Sequence, residues 1–148
     1  MTTQPPESKS LAKFSDGISD LSYLPKNDVS LLASTSWDGS VRLHDTQATN
    51  TAVLAHQMES GPLLGLAIPQ NMDAIATGGL DGSVRLLDIS STTSRVIGRH
   101  GEAGTADSKV ACSCLESFGP ENSSLLVSAG WSNKLYLWDI RTAAPVSE

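Results

Sequence analysis

Apolar and polar residues alternate with a period of two along most of this chain. In "SVRLHD" (40 to 45), Val41 and Leu43 alternate with Arg42 and His44, as they must in a strand with one buried face. The same pattern returns in "SVRLLD" (83 to 88) and "LYLWD" (135 to 139). Each of these runs follows an apolar run that ends in Ser or Thr and a short turn, so the unit is a hairpin. Further extended runs lie between the hairpins: "GISDLSYL" (17 to 24), "TAVLAH" (51 to 56), "PLLGLAI" (62 to 68), "SRVIG" (94 to 98) and "KVACSCLESF" (109 to 118). Gly, Pro, Asn and Ser clusters separate them and no segment sustains a helical period, which predicts an all-β chain.

Aligned on their last residue, "LLASTSWDGSVRLHD", "AIATGGLDGSVRLLD" and "LLVSAGWSNKLYLWD" end at Asp45, Asp88 and Asp139, spaced 43 and 51 residues apart. A fixed period with about four strands per repeat predicts a repeat architecture of stacked four-stranded sheets. Asp38-Gly39 and Asp81-Gly82 predict type I′ turns, because both residue types tolerate positive φ; Ser132-Asn133 serves the third copy less well. The expected organisation is an unstructured arm at 1–13, then repeats at 14–56, 57–100 and 101–148. The longer third interval is assigned to a polar loop, "GEAGTADS" (101 to 108).

Composition narrows the function. The chain has 148 residues, 39% of them hydrophobic, enough for a sizeable core. Its formal charge of −6 and its lack of a Lys or Arg stripe argue against direct nucleic-acid binding. The longest apolar run, "LLGLAI", is far short of the roughly 20 residues that cross a bilayer, and "MTTQPPESKS" lacks a signal-peptide apolar region, so a soluble intracellular protein without membrane contact is expected. Cys112 and Cys114 stand two apart, which in a regular strand puts both on one face as plain thiols; no second Cys or His cluster completes a metal or redox site, and no cofactor is expected. Asn122-Ser123-Ser124 fits a glycosylation sequon but reads as an ordinary loop.

No nucleophile elbow, phosphate loop or zinc-protease motif is present, and the aspartates recur at repeat positions, as turn and strand-end chemistry requires and as acid–base pairing does not. A catalyst is not expected. His44, His56 and His100 fall at repeat junctions and read as structural. Arg42 and Arg85 read as strand residues covering apolar surface with their stems. Gly78 and Gly79 read as positions of close backbone packing.

Four strands per repeat, closing on the Trp-Asp of "LYLWDI", resemble the WD-repeat β-propellers; His44-Asp45 and Leu87-Asp88 are degenerate versions of that dipeptide. "QPPES", "DGISDLSYLP", "LLASTSWDGSVRLHD", "GGLDGSVRLLDI", "VIGRH" and "WSNKLYLWDIRT" together resemble the spindle-checkpoint branch of that family, the Bub-three propellers, with the messenger-RNA export propeller as near neighbour. That branch closes a seven-bladed ring, so about three blades of an incomplete ring are expected here, from a truncated product, isoform or fragment. On the family template, Ser34 and Asp38, Thr77 and Asp81, and His100, Ser128 and Trp138 belong to the buried polar sets that hold each blade. Asp45, Asp88 and Asp139 end the third strands, and Ser132 stands where an aspartate is usual.

Trp37 and Trp131 sit at the turn between the second and third strands, on one rim. A tryptophan there either covers the neighbouring blade or acts as an interface hot spot. The resemblance implies the second: matching tryptophans in the family contact the short GLEBS segment of checkpoint kinases and their pseudokinase relative, and the export propeller binds a nucleoporin GLEBS segment. It further implies a nuclear and cytoplasmic scaffold that moves to kinetochores in mitosis. The family's reading of the kinetochore scaffold uses later blades and transfers to no residue here. Alternatively, the chain is a truncated propeller without independent activity, whose open terminal blades invite self-association.

Overall fold

A computed structural model describes residues 10–24, 31–47, 52–70, 73–101, 110–118, 124–142 and 145–147. These form strands β1 (Ile18–Tyr23), β2 (Leu31–Ser36), β3 (Ser40–Asp45), β4 (Ala52–Gln57), β5 (Leu63–Ala67), β6 (Ala74–Gly79), β7 (Ser83–Asp88), β8 (Ser94–Arg99), β9 (Cys112–Phe118), β10 (Leu125–Gly130), β11 (Leu135–Asp139) and β12 (Pro145–Ser147). They pair antiparallel, in chain order, as three four-stranded sheets: β1 to β4, β5 to β8 and β9 to β12. The expected all-β stack of three blades is the observed fold, a partial propeller. Most of the expected arm (1–9), the polar loop (102–108) and most of the sequon (119–123) lie outside the described residues.

Each sheet has a forward face toward the next blade and a rear face toward the preceding one. On the forward face of the first sheet, Ala33, Val41 and Leu43 pack on Leu63, Leu66, Ile75 and Leu87 from the rear of the second. On the forward face of the second, Ala74, Ala76, Val84 and Leu86 pack on Leu115, Leu126, Tyr136 and Trp138 from the rear of the third. Small residues face large ones at the second junction, so the sheets interdigitate at the density a core requires. The Gly98 position illustrates this: a Cβ there would lie 2.1 Å from the Trp138 ring. Polar ties cross both junctions: Leu66 N donates to Asp20 Oδ2 at 2.9 Å, Ser117 Oγ to the Ile68 carbonyl at 2.7 Å, and the Arg95 guanidinium to the Ile140 carbonyl.

Two local expectations are corrected. The Asp-Gly pairs do not make type I′ turns, which need positive φ at both central residues: φ is positive at Gly39 (83°) and Gly82 (78°) but not at Asp38 or Asp81. Gly39 N donates to Ser36 O, and Gly82 N to Gly79 O, each at 3.0 Å. The corners are therefore Trp37-Asp38 and Leu80-Asp81, followed by a left-handed glycine, a three-residue loop. In the third sheet Asn133, with φ 59°, takes the glycine's place.

The second correction concerns the thiols, which do not share a face. The ladder pairs Cys114 with Ala129 but Cys112 with Gly130, so one extra residue bulges at Ser113 and reverses the alternation. Cys112 is buried against Gly78, where a Cβ would meet its Sγ at 2.6 Å, while Cys114 is exposed; both are free thiols. Burial pushes the Cys112 thiol up to about 12.

Candidate interaction face

The three-residue turns repeat one construction along a single rim. Trp37 N donates to Gly17 O at 2.9 Å, Leu80 N to Pro62 O at 2.9 Å, and Trp131 N to Ala111 O at 3.1 Å. Trp37, Leu80 and Trp131 are thus equivalent residues on consecutive blades, the first turn corner in each case. Trp37 is 42% exposed and Trp131 66% exposed, with the half-buried Leu80 in the blade between them. The rim presents an indole, an aliphatic side chain and a second indole in series. Leu80 escaped sequence reasoning, although the alignment of "GGLDG" with "TSWDG" carried the signal.

Charges beside this row are internally paired. Asp38 Oδ1 accepts from Ser40 N (2.9 Å) and Ser40 Oγ (2.5 Å), and Asp81 Oδ1 repeats the pair with Ser83 at 3.0 and 2.6 Å. Partial burial raises the Asp38 carboxyl, but hydrogen bonds from Ser40, Ser15 and Ser36 outweigh it and hold the group well below the usual carboxylate range. Arg42 lies 3.7 Å from Asp38, with its guanidinium 4.1 Å above the Phe14 ring, and Arg99 pairs with Asp81 at 3.2 Å. Among the described residues, the rim therefore offers apolar and aromatic surface flanked by paired charges.

Below the rim, the three blades solve one polar problem differently. In the third, Trp138 Nε1 donates to Ser128 Oγ at 2.7 Å, and His100 Nε2 stands 2.7 Å from the same oxygen. In the first, His44 takes the tryptophan's place, its Nε2 3.1 Å from Ser34 Oγ. In the second, Leu87 takes it, and Thr77 Oγ1 is buried without a partner among the described residues. The missing histidine there is Met58: Met58 N donates to Gly39 O just as His100 N donates to Gly82 O, at 3.0 and 2.8 Å. Burial lowers the pKa of both His44 and His100, with the Arg42 charge adding to it at His44.

The strand-end aspartates belong to the opposite end of the hairpins. Asp88 Oδ1 accepts from Ser90 and Ser91, Asp139 Oδ1 from Arg141 and Ser124, and Asp45 Oδ1 from Gln47 N. They fold the turn into the fourth strand and stand apart from the tryptophan row. Among the described residues, no three His, Cys, Asp or Glu are placed to hold a metal ion.

A family model described as WD domain, G-beta repeat matches residues 8–45, 49–88 and 102–139. The chain belongs to this family. Each matched WD repeat ends on the third-strand aspartate, so the sequence unit is offset from the structural blade by one strand: 49–88 joins β4 to β5, β6 and β7. The WD-repeat chain is also 30% identical over 146 residues to the Poly(A)+ RNA export protein of Schizosaccharomyces pombe. That match covers 97% of this chain and 36% of the relative, so the chain spans about a third of the length of the curated relative it matches.

Proposed function

We propose that this WD-repeat chain is a non-enzymatic interaction scaffold that binds a short peptide segment across the rim formed by Trp37, Leu80 and Trp131. The observation that carries the proposal is the equivalence of these three residues, each at the first turn corner with its N–H held by the strand entry of its own blade. Two half-exposed indoles on a rigid β framework give large contact area at low entropic cost, the hallmark of interface hot spots. An extended or partly helical segment lying across the rim would bury both rings.

For the partner, the likeness to the Poly(A)+ RNA export protein of Schizosaccharomyces pombe supports a role in messenger-RNA export; the family resemblance of the sequence strings is the ground on which we assign a nucleoporin GLEBS segment as the bound peptide and the nucleus as the place of action. The sequence strings "DGISDLSYLP" and "WSNKLYLWDIRT" favour a second reading, a spindle-checkpoint scaffold that binds the GLEBS segment of a checkpoint kinase at kinetochores. Fluorescence anisotropy with labelled nucleoporin and kinase GLEBS peptides separates the two. Tighter binding of the nucleoporin peptide is expected; preference for the kinase peptide selects the checkpoint reading, and no binding of either sinks the proposal.

A further inference from the structure

At the end of the blades opposite the tryptophan row, the first and second sheets are filled differently. In the first, Leu31 and Leu54 pack against the core shared with the second sheet. The ladders identify their counterparts: Leu31 pairs with Asp45 as Ala74 pairs with Asp88, and Leu54 pairs with Leu43 as Arg95 pairs with Leu86. The second blade thus sets a methyl group and a guanidinium where the first sets two leucines. A cavity of about 240 Å³ lies there, lined among the described residues by Ala74, Leu86, Asp88, Thr93, Ser94 and Arg95. Its floor is apolar and buried, Ala74 being 2% and Leu86 4% exposed. Its lip is polar, with Asp88, Thr93 and Arg95 exposed and Ser94 half-buried. Close packing leaves few gaps larger than a water molecule, so a gap at a position that the preceding blade fills has room for a ligand group.

We infer that this cavity binds the carboxyl-terminal residue of a partner peptide, with an aliphatic side chain on Ala74 and Leu86 and the terminal carboxylate on the Arg95 guanidinium. Size favours that occupant. At about 240 Å³ the cavity falls below the roughly 300–1,000 Å³ of small-molecule pockets, so it admits one residue and leaves the rest of the peptide outside. Charge favours it too. One arm of the Arg95 fork donates to the Ile140 carbonyl, which holds the guanidinium across the second junction and leaves further N–H groups for a carboxylate. Asp88 is tied to its own turn instead: its Oδ1 accepts from Ser90 Oγ at 2.8 Å and from Ser91 N and Oγ at 2.8 and 2.9 Å. The apolar floor stands where leucines pack in the first blade, and it therefore suits an aliphatic side chain. Capture of a terminal carboxylate is a recurring mode of peptide recognition. The site lies at the far end of the hairpins from the tryptophan row and does not rest on that row's reading.

Amide-detected NMR of the 148-residue chain, titrated with N-acetyl-Ala-Leu as the free acid and as the C-terminal amide, tests this. The free acid should give saturable shifts at Ala74, Leu86 and Arg95, with a Kd on the order of 1 mM for so small a probe, and the amide should give none. Arg95→Gln should weaken binding about 10-fold, the loss of one charge-assisted hydrogen bond. Ala74→Leu, which restores the first blade's filling, should abolish binding while keeping the far-UV circular dichroism; if that variant does not fold, Arg95→Gln decides. Trp37→Ala should leave the titration unchanged. Equal binding of acid and amide, shifts confined to the tryptophan row, or no saturable shift would overturn the site. So would 4-methylpentanoate binding as tightly as the dipeptide, since a small carboxylic acid would then be its ligand.

Discussion

Trp138 Nε1 and Ser128 Oγ lie 2.7 Å apart, both buried, in a bond that ties the third strand of the last blade to its second. Because the indole can only donate, Ser128 Oγ accepts that bond and keeps its second lone pair and its own proton for the His100 ring, whose Nε2 stands 2.7 Å away. Replacing Ser128 by Ala strands a buried indole N–H and should cost about 2–3 kcal/mol, read as a fall in the denaturant midpoint. In the second blade the equivalent hydroxyl, Thr77 Oγ1, has no partner among the described residues, because Met58 and Leu87 replaced the groups that would bind it. Thr77→Val should be neutral or stabilise by up to about 1 kcal/mol. Equal losses at the two sites would show that the blades share one polar design after all.

Gly82 is held at φ 78°, and a Cβ there would meet the Val110 carbonyl oxygen at 2.6 Å. Left-handed strain alone costs an alanine about 1–2 kcal/mol, and the backbone clash adds to it. Gly82→Ala should therefore lower stability by at least about 2 kcal/mol, whereas a change at the turn corner, Leu80→Ala, should cost less because that side chain is only half-buried. Thermal melts of the two variants give the comparison directly.

His44 and His100 both have pKa values below the ordinary 6.5. Below pH 6.5 the unfolded chain binds protons that the folded one resists, so stability holds above that pH and falls as the solution is acidified through it. Melting temperatures between pH 8 and 5 should show this loss. His100→Gln, which retains a hydrogen-bonding side chain but cannot titrate, should shrink it.

The bulge at Ser113 makes the two cysteines unlike. With the Cys112 thiol buried and pushed up to about 12, and Cys114 exposed, a thiol reagent at pH 8 should count one reactive group in the native chain and two in denaturant. Two fast-reacting thiols in the native chain would place Cys112 at the surface.

Strand positions were legible because each sheet is half-buried, and burial of one face imprints an alternation that a run such as Val41, Arg42, Leu43 carries openly. What alternation cannot show is a single added residue. The extra residue at Ser113 reversed the two cysteines, and the three-residue turn moved the positive φ from Asp38 to Gly39 alone. The tryptophan row was half legible. Trp37 and Trp131 stand out by residue type, but Leu80 is recognisable only once the turn geometry makes it their equivalent. Met58 was hidden for the same reason, since a methionine in a histidine's place carries no chemical signal and only its N–H bond to Gly39 O reveals it.

The central claim is that the Trp37–Leu80–Trp131 row is a peptide-binding rim, and tryptophan fluorescence titrated with a nucleoporin GLEBS peptide tests it most directly. The account predicts saturable binding that Trp37→Ala and Trp131→Ala each weaken by about 30-fold, the roughly 2 kcal/mol of a hot-spot residue. Binding that survives both substitutions unchanged, or no binding by the parent chain of either this peptide or the kinase GLEBS peptide, would contradict it.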